Sequence, residues 1–399
     1  MNLKYMGDQP TIVKKLFWIN LLNNCFWLSS VITFFYLHRG LSYTEILALE
    51  GILSIVIILC EVPTGMIADK YGRKTSMILS SMFLISSMII YVFANSLILF
   101  GIAFALSGIG LTFASGSTEA LLYDSLKSLR KKKYTQQAIG NFMSAEVLAG
   151  IITPPLASII AKDLTAFQFI FLIILTLVSY FAALLITITV KEKRMNKPSQ
   201  KKTASFNAFK NLFKNKALRT LALNRMLVGI AMSAFVVLWQ PQLQASKVPI
   251  SLFGVILASG SLGIFWVNRN INVLISMIHA RSLLVGSTIL PGLGFFILAF
   301  AYHPIVAVLT YVLIRIVVAA REPILAVQIN HKIESHQRAT MLSLISMITA
   351  LAAFILMPLI GLATDKGLAY GFIILGGLCF LASFVFPLTK RIVENKRYV

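Results

Sequence analysis

Nine ionisable side chains lie inside otherwise apolar stretches, and they divide unevenly along the chain. The first half carries Glu50, Glu61, Glu119 and Glu146; the second carries Arg225, Arg269, Arg315, Arg321 and one acid, Glu322. A charge placed in hydrocarbon costs about 2.5–3.5 kcal/mol on insertion scales, so such residues pair with one another or face a water-filled path. Carboxylates in such places can take up and release protons, and arginines can hold an anion. Counting from the ends of their stretches puts Arg225 and Glu322 at matching depth, so the two can pair, with Arg269 competing for the same acid. Arg315 has no acid at its own depth. It is the best single candidate for contacting an anionic group or a partner across a cavity. Glu146 leads as the proton-coupling carboxylate, with Glu119 and Glu61 as rivals.

Two polar stripes accompany these charges. Asn20, Asn24 and Trp27 fall at i, i+4 and i+7, one face of a helix. Arg225, Met232 and Trp239 repeat every seven residues, with Gln240 and Gln242 close behind. An Asn-and-Trp face suits either substrate contact or hydrogen bonding between helices, and both readings stand. Other chemistry is hard to place. His38, His279, His303, His331 and His336 have no metal-ligand spacing, and Cys25, Cys60 and Cys379 sit in apolar runs as small packing residues. There is no glycine-rich phosphate loop ending in Gly-Lys-Ser/Thr. The expectation is a protein without metal or cofactor that is not an enzyme. A polytopic membrane enzyme, the remote alternative, needs a catalytic cluster at one depth.

The elements that must position these residues follow from composition. Apolar residues make up 58% of the 399 and charged residues 13%, against about 25% charged in soluble domains. Lipid must therefore solvate most of the surface. Apolar runs of about the length that crosses a bilayer occur at 12–37, 44–68, 75–94, 97–122, 137–161 and 165–190. Six more occur at 217–243, 250–276, 282–302, 305–330, 339–363 and 368–388. Because lipid offers the backbone no partners, the runs predict helices. The net charge of +22 does not mark a nucleic-acid binder: 28 of the 36 Lys and Arg fall in alternate gaps and termini, with four in the opposite gaps. This asymmetry predicts both termini in the cytoplasm.

The prediction is thus an all-α integral membrane protein of twelve transmembrane helices in two six-helix bundles. Residues 1–190 form the first bundle, 191–216 a cytoplasmic linker and 217–399 the second bundle. In the linker, Phe206, Phe209 and Phe213 recur at helical spacing behind Ser205, which predicts a short amphipathic helix on the headgroups. The halves echo each other: Glu119-Ala-Leu-Leu-Tyr-Asp124 in the fourth run corresponds to Glu322-Pro-Ile-Leu-Ala-Val327 in the tenth.

The second run ends Glu61-Val-Pro-Thr-Gly65-Met-Ile-Ala-Asp69-Lys-Tyr-Gly72-Arg73-Lys74. Gly65 removes a side chain where a neighbouring helix could approach, Gly72 permits a tight turn, and Arg73 and Lys74 suit an anionic membrane surface. Through Gly65, Asp69, Gly72, Arg73 and Lys74 the chain resembles the major facilitator superfamily, and through Glu-Val-Pro-Thr its bacterial drug-efflux-like members. The resemblance implies a charge relay that latches one conformational state, with Asp124 as the partner of Arg73. A glycine-rich fifth helix of drug–proton antiporters is matched in degenerate form at Gly140, Ala149, Thr153, Pro154, Ala157 and Ser158. The family's fourth-helix arginine has no counterpart. The implied activity is secondary, proton-coupled efflux of a drug-like or amphipathic molecule by a monomer, in contact with lipid in a bacterial inner (plasma) membrane. Import or uniport of a small nutrient or organic anion is the alternative.

Overall fold

The computed structural model describes residues 11–128, 135–192, 215–334 and 337–393, with the side chains of Glu119, Asp124 and a few neighbours outside that set. The predicted amphipathic helix of the linker, including Ser205, Phe206, Phe209 and Phe213, lies outside the described residues, as does the basic run Arg130–Lys133. All regular structure among the described residues is helical. In the first half these are α1 (Thr11–Asn23), α2 (Ile32–His38), α3 (Tyr43–Tyr71), α4 (Arg73–Phe93), α5 (Leu97–Ala114), α6 (Ser117–Ser128), α7 (Thr135–Ile160) and α8 (Ala166–Ile188). The second half contains α9 (Lys216–Ala245), a 3-10 turn (Ile250–Leu252), α10 (Phe253–Arg269), α11 (Ile271–Ile278), α12 (Ala280–Ala299), α13 (Pro304–Ala319), α14 (Arg321–His331), α15 (Arg338–Lys366) and α16 (Leu368–Val385).

Among the described residues, eleven helical stretches are long and apolar enough to cross a membrane. The first predicted run is the exception, because residues 24–31 interrupt the helix between α1 and α2. No proline or glycine lies there, so intrinsic propensity does not cause the break. Other helices hold the segment instead. Trp27 N–H donates to Thr176 Oγ1 (3.2 Å), which satisfies freed backbone, and the Ser30 side-chain hydroxyl donates to the Pro154 carbonyl (3.3 Å). The fourth and tenth runs are each divided at a similar place, at Ser115–Gly116 with φ 69° on Gly116 and at Ala320. The two echoing segments begin α6 and α14.

Each half has an aromatic core. Phe35, Tyr36, Tyr91 and Phe100 pack together in the first half, and Phe235, Phe295, Tyr311 and Trp239 in the second. Large apolar side chains point outward in turn: Phe167 and Phe384 are 77% and 78% exposed. Lipid supplies what they lack.

Candidate functional site

The two halves meet along three seams, and in all three the contacts lie at the end of the molecule away from the Gly65–Lys74 loop. Along α3 and α15, a Cβ on Gly51 would sit 3.0 Å from Phe354 Cα, and one on Gly361 would sit 2.4 Å from Thr44 Cα. Asp365, at the end of α15, accepts the N–H groups of Tyr43 (2.8 Å) and Thr44 (3.1 Å) and the Thr44 hydroxyl. A carboxylate from one half thereby satisfies orphan donors at a helix start in the other. Along α7 and α10, Gly254 packs on the Pro154 carbonyl so closely that a Cβ would lie 1.9 Å from the oxygen. Nearby, the Ser158 hydroxyl donates to the Ser251 carbonyl (2.9 Å).

The third seam joins the interrupted first run to α9. Thr33 N–H donates to Gln240 Oε1 (2.9 Å), while Gln240 Nε2 donates to the Ser29 carbonyl (3.1 Å). In an unbroken helix, Thr33 N–H would bond Ser29 C=O directly. The Gln240 amide is inserted between them and completes both. The exchange is mutual. Pro241 has no N–H, which deprives the Val237 carbonyl of its helical donor, and the Thr33 hydroxyl donates to that carbonyl at 2.9 Å. Gln240 is fully buried.

Toward the loop end the seams part. Gly65 lies fourteen residues beyond Gly51, about 21 Å along the helix and on nearly the same face, yet nothing lies within 4 Å of a Cβ placed there. Gly140 bears the same relation to Pro154 and likewise meets nothing. The close approach expected at Gly65 is therefore absent in this conformation, because α3 and α15 diverge below Gly51. Of the remaining fifth-helix positions, Ala149, Thr153, Ala157 and Ser158 are buried.

The loop residues have a partner that sequence reasoning missed. Glu192 accepts the N–H groups of Arg73 (2.8 Å) and Lys74 (3.0 Å) at the start of α4. Gly72 has φ 102°, and a Cβ on it would lie 2.7 Å from Glu192 Oε2. The turn and the cap both require glycine. Asp69 lies 3.7 Å from Arg73, whereas the side chain of Asp124, the expected relay partner, lies outside the described residues.

The intramembrane charges sort into distinct environments. Arg225 and Glu322 form an ion pair, Nη2 to Oε2 at 2.6 Å. Arg269 closes α10, is exposed, and makes no ion pair with Glu322 among the described residues. Arg321, which is 2% exposed, has no carboxylate partner. Its guanidinium donates to Thr288 Oγ1 (2.8 Å), to the Asn224 carbonyl (3.0 Å) and to Asn224 Oδ1. Asn224 in turn donates to the carbonyls of Ala382 (2.8 Å) and Phe386 (3.0 Å). Arg315 Nε and the Tyr311 hydroxyl are buried without a hydrogen-bond partner.

Three further expectations change. Asn24 and Trp27 fall in the interruption, so the Asn20–Asn24–Trp27 face does not form. Instead Asn20 Nδ2 donates to the Phe142 carbonyl (2.9 Å), Asn24 to Asn20, and Trp27 Nε1 to Ser179 Oγ (3.3 Å), all within the first half. Trp239 is buried between Phe253 and Tyr311 (ring centroids 5.6 and 4.8 Å), while Met232 is half-buried. Glu61 and Glu146 are exposed rather than enclosed. Glu146 sits one turn toward the loop end from Gly150, whose Cβ position lies 3.7 Å from Ser261 Oγ, where the α7–α10 seam opens. Glu119 begins α6, with its side chain outside the described set. Half-buried Glu50, near the bonded hydroxyl pair of Tyr36 and Tyr91 (2.8 Å), was counted among the intramembrane charges but not among the proton-coupling candidates.

Residues 17–355 match the family model described as Major Facilitator Superfamily. No curated protein matches the sequence. Among solved structures the chain is similar to the nucleoside transporter NupG, with a TM-score of 0.80 and 15% identity over 97% of this chain and 100% of that one. A POT family transporter in complex with 5-aminolevulinic acid gives a TM-score of 0.75 at 14% identity, covering 97% of each chain. A bacterial homologue of the human lysosomal transporter Spinster, inward-facing and unoccupied, gives 0.74 at 15%, covering 97% and 98%. At these identities the likeness is one of fold.

Proposed function

The chain belongs to the major facilitator superfamily, and from that premise we propose that it exports an amphipathic small molecule by alternating access, coupled to protons. The observation that carries the mechanism is the one-ended closure. Three seams are sealed at the far end by Asp365, Pro154 and Gln240, while Gly65 and Gly140 stand clear at the other. Rocking about a midplane site alternates such closures. The excess of Lys and Arg at the open end assigns it to the cytoplasm, so this conformation is open inward. The protein acts as a monomer in a bacterial plasma membrane, with the Asp69–Arg73 loop latching the opposite state.

Glu146 takes the coupling proton. Its place where the α7–α10 seam opens gives it water in this state and enclosure when the seam closes. One charge moving down about 100 mV supplies about 2.3 kcal/mol, enough to drive export. In everted vesicles, energisation is expected to concentrate cargo inside. Glu146→Gln is expected to abolish accumulation driven by a pH gradient while leaving downhill counterflow intact; full gradient-driven uptake by the variant would remove Glu146 from the mechanism, and Glu50→Gln would be the next to measure.

Uptake of a small polar solute is the second reading. Likeness to structures named for nucleoside and peptide transporters supports it, as does Arg315, which has no acidic partner. Energised everted vesicles that extrude rather than gather the solute would select it.

A further inference from the structure

The charges of the second half can be accounted for one at a time. Arg225 has Glu322, Arg269 is exposed at a helix end, and Arg321 is held by Asn224 and Thr288. Arg315 is left over. It lies eleven residues into α13, about 16 Å from the far end and about 24 Å from the end of α14 at His331, which places it near mid-membrane. No ion pair or cation–π contact reaches it among the described residues. Its Nε is buried, as is the hydroxyl of Tyr311 one turn before it, and neither bonds any third group among the described residues. The two lie within reach of each other. Gly260 of α10 gives the arginine its room, since a Cβ there would sit 3.6 Å from Arg315 Cβ and Cγ and 3.7 Å from Nε. The Tyr311 ring packs at a tilt against Trp239 of α9, with ring centroids 4.8 Å apart. The flanking helices α9 and α10 each form a seam with the first half.

We infer that Arg315 anchors an acidic group on the transported molecule, with the Tyr311 hydroxyl as a second donor, and that the cargo is an organic anion with a planar apolar body. A half-buried arginine at mid-membrane without a counter-ion faces a water-filled path where an anion can reach it, and a guanidinium presents a fork of donors matched to a carboxylate or phosphate. The packed Tyr311 and Trp239 rings back the site with an apolar wall that cargo would meet at its edge. The inference rests on the transport reading for the word cargo, but the anion site itself does not.

The probes are 2-naphthoate and its uncharged counterpart 2-naphthamide, titrated against the full chain in detergent with thermal unfolding as the readout. Naphthoate is expected to raise the unfolding midpoint saturably and naphthamide to leave it unchanged. Arg315→Ala is expected to weaken naphthoate by about ten- to a hundredfold, Arg315→Lys by less, and Tyr311→Phe by a few-fold. If Arg315→Ala is not monodisperse, Arg315→Lys and Gly260→Val, which fills the space beside the guanidinium, carry the test. Equal binding of both probes, no saturable naphthoate effect, or naphthoate affinity unchanged in the arginine variants overturns the inference. Binding through Arg315 without movement of any solute in vesicles overturns the transport reading alone. Transport unaltered by Arg315→Ala overturns the anion site alone.

Discussion

Asn224→Leu is expected to be the most destabilising single substitution in the second half. The Asn224 carbonyl oxygen and Oδ1 both receive Arg321, and its amide closes the last carbonyls of α16 at Ala382 and Phe386. Leaving a buried donor without its acceptor costs about 1–3 kcal/mol, and more when the donor is charged. Thr288 and the main-chain carbonyl at residue 224 remain as acceptors, too few to satisfy the guanidinium. The variant should unfold at markedly lower temperature in detergent and elute as aggregate. Arg321→Met with Asn224→Leu should recover much of the loss, because replacing both members by apolar groups of similar size removes the stranded charge. Recovery stays incomplete, since the α16 carbonyls still lack a donor. A single variant as stable as the parent, or a double variant no better than the single, would contradict this reading of Arg321.

Gln240→Leu should act on conformation rather than on folding. In the closed far end the substitution orphans Thr33 N–H and Ser29 C=O, each at a cost of about 1–3 kcal/mol when buried. Water reaches both groups when the far end opens, so the penalty falls on one state only. A net shift of about 2 kcal/mol corresponds to about thirty-fold in population. With Cys25, Cys60 and Cys379 replaced by Ala, a cysteine at Ser29 should react tens of times faster with a membrane-impermeant thiol reagent when Gln240 is Leu. An unchanged rate would mean that Thr33 N–H finds Ser29 C=O again, healing the helix, and that Gln240 is no gate.

How far the sequence carries this account differs from element to element. Hydropathy locates nearly every helix, because a segment in lipid has no other way to satisfy its backbone. The Arg225–Glu322 pair follows from counting residues along two helices. The interruption at 24–31 does not follow, since Asn23 to Val31 contains no breaker and its backbone partners, Thr176 and Gln240, are more than a hundred residues away. One signal was available. Pro241 inside a long apolar run announces an orphan carbonyl at Val237, and the glutamine beside it announces an amide needing buried partners. Glu192 was hidden differently, as an acid in a basic linker whose role appears only once Gly72 turns the chain beneath it. Whether Glu146 is enclosed depends on which conformation is observed, which composition and spacing do not encode.

The most direct test of one-ended closure is a disulfide across the far end. In the same cysteine-free background, Thr44→Cys and Asp365→Cys replace a contact between the first and second halves. The pair should oxidise readily without substrate, arrest transport in vesicles completely, and release it on reduction. Transport that continues with the bridge intact would show that the far end need not open, and alternating access about these seams would be wrong.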